Sequence, residues 1–208
     1  MFDTHCHIHS SVFTLDADEA LENAISAGVT GVICVGEELQ DSRKAVRFAQ
    51  THKGCWASVG VHPHEAEAGV DLVELKKLAA SKWVVAIGEC GLDYWYENSP
   101  REKQLEVFEK QIELALELNL PLIMHIRSSK DSPDDAFDDY AKLMKKHPSA
   151  RGVVHSFTAG QEQLKRVLSN SHFVGVNGIT TFTRDQAQLD ALKGFRWKKW
   201  CLKQMRPS

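Results

Sequence analysis

The sequence predicts an α/β fold, a TIM-type (β/α)8 barrel that is incomplete, with about seven β/α units and the eighth strand missing. Three observations carry this. Apolar runs of strand length alternate with helical patterns along all but the end of the 208 residues. The runs are continuous rather than alternating, as in strands buried on both faces of a parallel sheet. Polar, metal-competent residues stand at or just past the C-terminal ends of the runs, where barrel enzymes keep their sites. Eight units close a barrel in about 250 residues, and strict alternation implies right-handed crossovers. An open doubly wound sheet is the alternative, but neither G-x-G-x-x-G nor G-x-x-x-x-G-K-[ST] is present.

The strand runs are Phe2–His7, Val29–Gly36, Trp56–Val61, Trp83–Ile87, Pro121–Ile126, Gly152–His155 and Phe173–Val176. Between them, Asp16 is placed to cap a helix over Ala17–Ala27 that Gly28 stops. Ser99-Pro100-Arg101-Glu102 reads as a capping box with proline at the first helical position, opening Pro100–Leu118. Ser132-Pro133-Asp134-Asp135 opens the next helix in the same way. Weaker patterns cover Leu39–His52, Leu72–Ala80, Gln161–Leu168 and Arg184–Leu192.

The bulk numbers bound the rest. A hydrophobic fraction of 43% suits one globular domain. No apolar run approaches the roughly 18 residues that span a bilayer. Met1-Phe2-Asp3 lacks the basic and apolar regions of a signal peptide, so a cytoplasmic location and no membrane partner are expected. The five cysteines are scattered without a CxxC, which reads as free, buried thiols. The net charge of −3 hides an asymmetry. Lys193, Arg196, Lys198, Lys199, Lys203 and Arg206 fall in the last 16 residues, leaving 19 basic against 28 acidic residues in the body. Such a body has no global electrostatic footprint for nucleic acid, so any polyanion must be held by a local site.

The chemistry sits at the strand ends. The first run carries His5 and His7, two apart and therefore on one face. The third leads into His62 and His64, the fourth into Glu89 and Asp93, the fifth into His125 and the sixth into His155. Imidazoles and carboxylates suit Zn, Mn or Mg ions, and a carboxylate between two of them can bridge. Cys6 and Cys90 read as packing residues.

Five ordered motifs then resemble the signatures of the TatD family, metal-dependent deoxyribonucleases of the amidohydrolase-like barrel superfamily. They are Phe2-Asp3-Thr4-His5-Cys6-His7, Val59-Gly60-Val61-His62-Pro63, Ile87-Gly88-Glu89-Cys90-Gly91-Leu92-Asp93-Tyr94, Pro121-Leu122-Ile123-Met124-His125 and Val154-His155-Ser156-Phe157. The resemblance implies two divalent metal ions: His5 and His7 on the first, Glu89 bridging both as the central catalytic carboxylate, His125 and His155 on the second. It implies hydrolysis of DNA phosphodiesters by metal-activated water, 3′-to-5′ exonuclease-like, with DNA as substrate and no obligate protein partner evident. His62 falls on the substrate side. Arg127 is a phosphate contact or a solvated loop arginine. Tyr94, Trp95 and Tyr96 read as loop packing over the barrel mouth, with base stacking the alternative. A superfamily hydrolase of another ester or amide (a small molecule or aminoacyl-tRNA) is the second function class, and an inactive remnant the third.

The resemblance covers 1–194 and then breaks. The family expects an eighth strand ending in L-E-T-D-A-P, whose aspartate completes the first metal site. Residues 195–208 form instead a basic, aromatic tail. Back-translated one base earlier, Arg196–Pro207 permits P-L-E-K-M-V-L-E-T-D-A-P. A one-nucleotide deletion near the Phe195 codon is therefore expected, with the aspartate codon straddling Gln204 and Met205. Impaired activity follows as an expectation for the chain as written.

Overall fold

The computed structural model describes residues 1–10, 16–193 and 200–202. Along them run β1 (Phe2–Cys6), α1 (Ala17–Ser26), β2 (Gly31–Val35), α2 (Leu39–Thr51), β3 (Cys55–Val59), a 3-10 segment (Pro63–Ala68) and α3 (Leu72–Ala79). There follow β4 (Val84–Asp93), α4 (Arg101–Glu117), β5 (Leu122–Arg127), α5 (Asp135–Lys146), β6 (Gly152–Val154), α6 (Gln161–Ser169) and β7 (Phe173–Val176). A second 3-10 segment (Gly178–Thr181), α7 (Gln186–Lys193) and β8 (Trp200–Leu202) complete the order. The sheet runs β1 to β8 in sequence order with every ladder parallel, so each helix crosses over to the next strand.

The seven predicted units are all present. The position expected to lack a strand is nevertheless occupied: β8 pairs in parallel with β7, Val174 opposite Trp200 and Val176 opposite Leu202. A ladder uses only backbone groups, so a three-residue segment without the family motif still satisfies the edge of β7. β8 also comes alongside β1, although no ladder joins them among the described residues. Phe195, Gln204 and Met205, where the frame shift is expected, lie outside the described residues, as does most of the basic tail.

Two cores follow from strand alternation. Leu122, Met124 and Ile126 of β5 face the helices and pack in the large cluster that holds Phe108, Ile112, Phe137 and Tyr140. Ile123 faces the other way and joins Val35 and Ala86, with Ile33 and Val153 against them. His125, two residues on, shares the face of Ile123, so this small cluster forms the floor beneath the strand-end histidines.

Asp16 caps α1 as expected, its carboxylate accepting from the Asp18 N–H, and Gly28 closes it at φ +89°. Two helix starts differ. Helix α4 begins without a side-chain cap, because the Ser99 hydroxyl donates to the His64 carbonyl and accepts from the Glu67 N–H. Helix α5 begins at Asp135, whose carboxylate holds the Ser129 and Ala136 N–H groups. Neither serine predicted as a cap makes a cap bond, and the Ser132 backbone N–H donates to the Ser129 hydroxyl. Cys6, Cys34, Cys55 and Cys90 are free thiols, the last three buried.

Candidate active site

Strand β4 is longer than its apolar run predicts, and its extension carries the centre of the site. Between Ile87 and Cys90 the register against β5 shifts, a bulge that gives β4 one extra residue. Gly88 and Gly91 flank Glu89 with φ of +145° and +138°. A side chain on Gly91 would run into the His125 carbonyl oxygen, so glycine is required where β4 lies against β5. The bulge turns Glu89 inward, and its N–H is anchored on the Gly36 carbonyl at 2.8 Å.

Five imidazoles converge on that one buried carboxylate. Oε2 lies 3.1 Å from His5 Nε2 and 3.7 Å from His7 Nε2. Oε1 lies 2.5 Å from His155 Nε2, 3.3 Å from His125 Nδ1 and 3.5 Å from His62 Nε2. The two oxygens thus divide the predicted ligands into the same two sets that the motifs implied, with His62 joining the second. The rings pack closely, His5 stacked on His155 at 4.1 Å between centroids. Burial alone would push the Glu89 carboxyl up, but His155 and His5, with the bonds from His125 and His155, hold it well below the usual carboxylate range.

Asp93, four residues on, orients the cluster from outside. Its Oδ2 lies 2.8 Å from His125 Nε2 and 3.2 Å from His64 Nε2, while Oδ1 accepts the Trp95 and Tyr96 N–H groups at 3.0 Å each. Burial opposes charge on the His125 ring, but its bonds to Asp93 and Glu89 outweigh this and carry it up to about 9. His62 goes the other way. Its burial dominates, partly offset by Glu89 and reinforced by the neighbouring imidazoles, and it is brought down to about 3, so it stands neutral.

The donors fit divalent cations. Ligand atoms of His5, His7 and Glu89 lie within 4.8 Å of one another, as do those of His62, Glu89 and His125. Mixed imidazole and carboxylate sets of this kind suit Zn, Mn or Mg. A third group, His7 with Glu37 and Asp41, meets the same limit and was missed in the sequence. Its signal was available: Glu37 falls just past the C-terminal end of β2, the same position at which the other strands carry their metal-competent residues. Asp185 and Asp190, before and on α7, contribute nothing here; Asp190 pairs with Lys193 and Gln186.

A cavity of about 820 Å³ opens above the cluster, with Glu37, Tyr96, Arg127 and Asn177 on its walls. The three consecutive aromatics have separate fates. Tyr94 is buried and donates its hydroxyl to Asp139, which is the packing role expected. Trp95 and Tyr96 are 38% and 56% exposed. Arg127 lies over both rings, 4.7 Å from the Trp95 centroid and 4.9 Å from that of Tyr96. Cys90 is buried away from the site with its thiol pushed up by burial and by Glu89.

Comparison with known proteins agrees with this geometry. The family model described as "TatD related DNase" matches residues 2–197. The protein named 3'-5' ssDNA/RNA exonuclease TatD from Cronobacter sakazakii is 36% identical over 194 residues, 92% of this chain and 72% of that one. Its namesake from Erwinia billingiae is 39% identical over 197 residues, covering 92% and 73%. Among solved structures, the TatD homologue YjjV from Escherichia coli superposes with a TM-score of 0.86 at 28% identity, covering 98% of this chain and 78% of that one. With the strand-end histidines, the bulged glutamate and the match in agreement, the chain belongs to the TatD-related DNase family of hydrolases.

Proposed function

We propose that this protein is a divalent-metal-dependent nuclease that removes nucleotides from the 3′ end of single-stranded nucleic acid, DNA foremost. The observation that carries the reading is the division of Glu89, with Oε2 toward His5 and His7 and Oε1 toward His125 and His155. In this reading His5, His7 and Glu89 would hold one ion, and Glu89, His125 and His155 would hold a second. Bound there, the ions would supply Lewis-acid charge to a phosphodiester and lower the pKa of water.

The chain's own residues do the rest. Glu89 stays ionised and keeps the two imidazole sets at a fixed separation. Asp93 fixes the ring of His125, and carboxylate partners of this kind set both tautomer and orientation of a ligating imidazole. His62, neutral, faces the same oxygen as His125 and is assigned to a substrate phosphate oxygen. Arg127, on the cavity wall, is assigned to the next phosphate along, and the ring contacts limit its freedom. The acidic body is compatible with a polyanionic substrate because divalent ions, when bound, would supply positive charge at the site. No helix among the described residues is long and apolar enough to cross a membrane. The reading places the enzyme in the cytoplasm, where its thiols stay reduced.

The test is degradation of a 5′-labelled single-stranded oligonucleotide in Mn or Mg. A ladder shortening from the 3′ end, abolished by chelator and in His125→Ala, is expected. Cleavage of an aryl ester or a small amide with no shortening of the oligonucleotide would replace this reading with that of another-bond hydrolase.

A further inference from the structure

The cavity wall carries a feature that the metal cluster does not use. Tyr96 exposes 56% of its surface at the mouth, although its backbone is held firmly. Asp93 Oδ1 takes its N–H, and the other oxygen of that carboxylate binds His125, so the turn and the cluster share one anchor. Arg127 lies against Tyr96 and is backed by Trp95, with Lys130 5.2 Å from the Trp95 centroid. Two ring-to-ring steps, 5.6 Å to His64 and 6.4 Å on to His125, separate Tyr96 from the cluster.

A half-exposed ring on an anchored backbone, with a cation against it, suits a single-stranded base. Its π-face accepts any base, and stacking there is open only to a base whose own face is free, hence unpaired. Arg127, lying over the ring, and Lys130, over Trp95, can take the charge of the flanking phosphates. We propose that Tyr96 is a stacking platform for a nucleobase of the strand being shortened, with Trp95 and Arg127 holding the adjoining backbone. This deepens the nuclease reading and rests on it. Such a platform would favour unpaired ends over paired ones.

The experiment compares kcat/KM for a single-stranded oligothymidylate and for the same strand with tetrahydrofuran abasic residues at its 3′-terminal positions. Base–aromatic stacking predicts that the full chain favours the base-bearing strand by about 5- to 150-fold. Tyr96→Ala should bring the ratio close to one, and Tyr96→Phe, which keeps the ring, should preserve it. A native ratio near one, or a ratio unchanged in Tyr96→Ala, overturns the platform. Binding of a nuclease-resistant phosphorothioate oligothymidylate, followed by fluorescence anisotropy in Mg, separates the two readings. Weaker binding by Tyr96→Ala supports the platform even if no strand is hydrolysed, in which case the nuclease reading alone has failed. Equal binding by native protein and Tyr96→Ala overturns the platform whether or not hydrolysis is seen.

Discussion

Asp93 Oδ2 lies 2.8 Å from His125 Nε2, and this bond joins the aromatic turn to the cluster around Glu89. The same carboxylate stays ionised despite burial, because His125 and the Tyr96 N–H stabilise its charge. Asp93→Ala would free the His125 ring and release the turn at once. Removing such a carboxylate partner typically costs about 10- to 100-fold in metal affinity or activity. Isothermal titration with Mn and hydrolysis rates should both fall in that range. Reduced activity with unchanged metal affinity would show that Asp93 acts only through the loop.

Gln111 ties α4 to the approach to His62. Its Oε1 accepts the Val61 N–H at 2.8 Å and its Nε2 donates to the Val61 carbonyl at 3.0 Å, all buried. Gln111→Leu leaves both backbone groups of Val61 unpaired. Each orphaned buried group costs about 1–3 kcal/mol, so a loss of roughly 2–6 kcal/mol is expected in denaturant unfolding. His62 follows Val61 directly, so KM should rise as well.

Gly91→Ala addresses the bulge. Its φ of +138° and the His125 carbonyl oxygen in the path of an added methyl leave no room for the side chain. Either β4 shifts against β5, carrying Glu89 with it, or the strand pair opens. Destabilisation beyond about 3 kcal/mol is expected, at the high end for a single substitution. A thermal melt with a near-native midpoint would show that the strands part more easily than the geometry implies.

His172 makes stability depend on pH outside the active site. Its Nε2 donates to the Ala150 carbonyl at 2.9 Å, and its Nδ1 accepts the Tyr140 hydroxyl at 2.6 Å. Burial pulls its pKa below the usual 6.5, partly countered by the Ala150 carbonyl. The unfolded chain therefore binds a proton that the folded one refuses. The contribution is complete above pH 6.5 and is lost as pH falls from there toward the folded-state value. The slope cannot exceed about 1.4 kcal/mol per pH unit. Unfolding free energies between about pH 7 and 5 should fall less steeply in His172→Gln than in the native chain.

The barrel units and the placement of His5, His7, Glu89, His125 and His155 at strand ends were legible in the sequence, because both signals are local. A buried parallel strand must be a continuous apolar run, and a polar residue at its end stands out against it. Helix ends were less legible. Ser99 and Ser132 have the composition of caps, yet the Ser99 hydroxyl bonds to the His64 and Glu67 backbone, and α5 begins with no side-chain cap bond. A hydroxyl takes the nearest geometry that folding offers, and spacing does not reveal which.

Other features were decided only by the fold. The eighth strand position is filled because a ladder needs backbone groups rather than a particular side-chain motif. Glu37 and Asp41 come to His7 through the turn after β2, and Tyr96 stays open while Tyr94 is buried. The spacing of His5 and His7 put them on one face of the first strand. How one carboxylate is shared among five imidazoles, and which aromatic ring remains exposed beside it, depend on contacts between strands far apart in the chain. Those distances are set by packing and register, and a linear pattern carries neither.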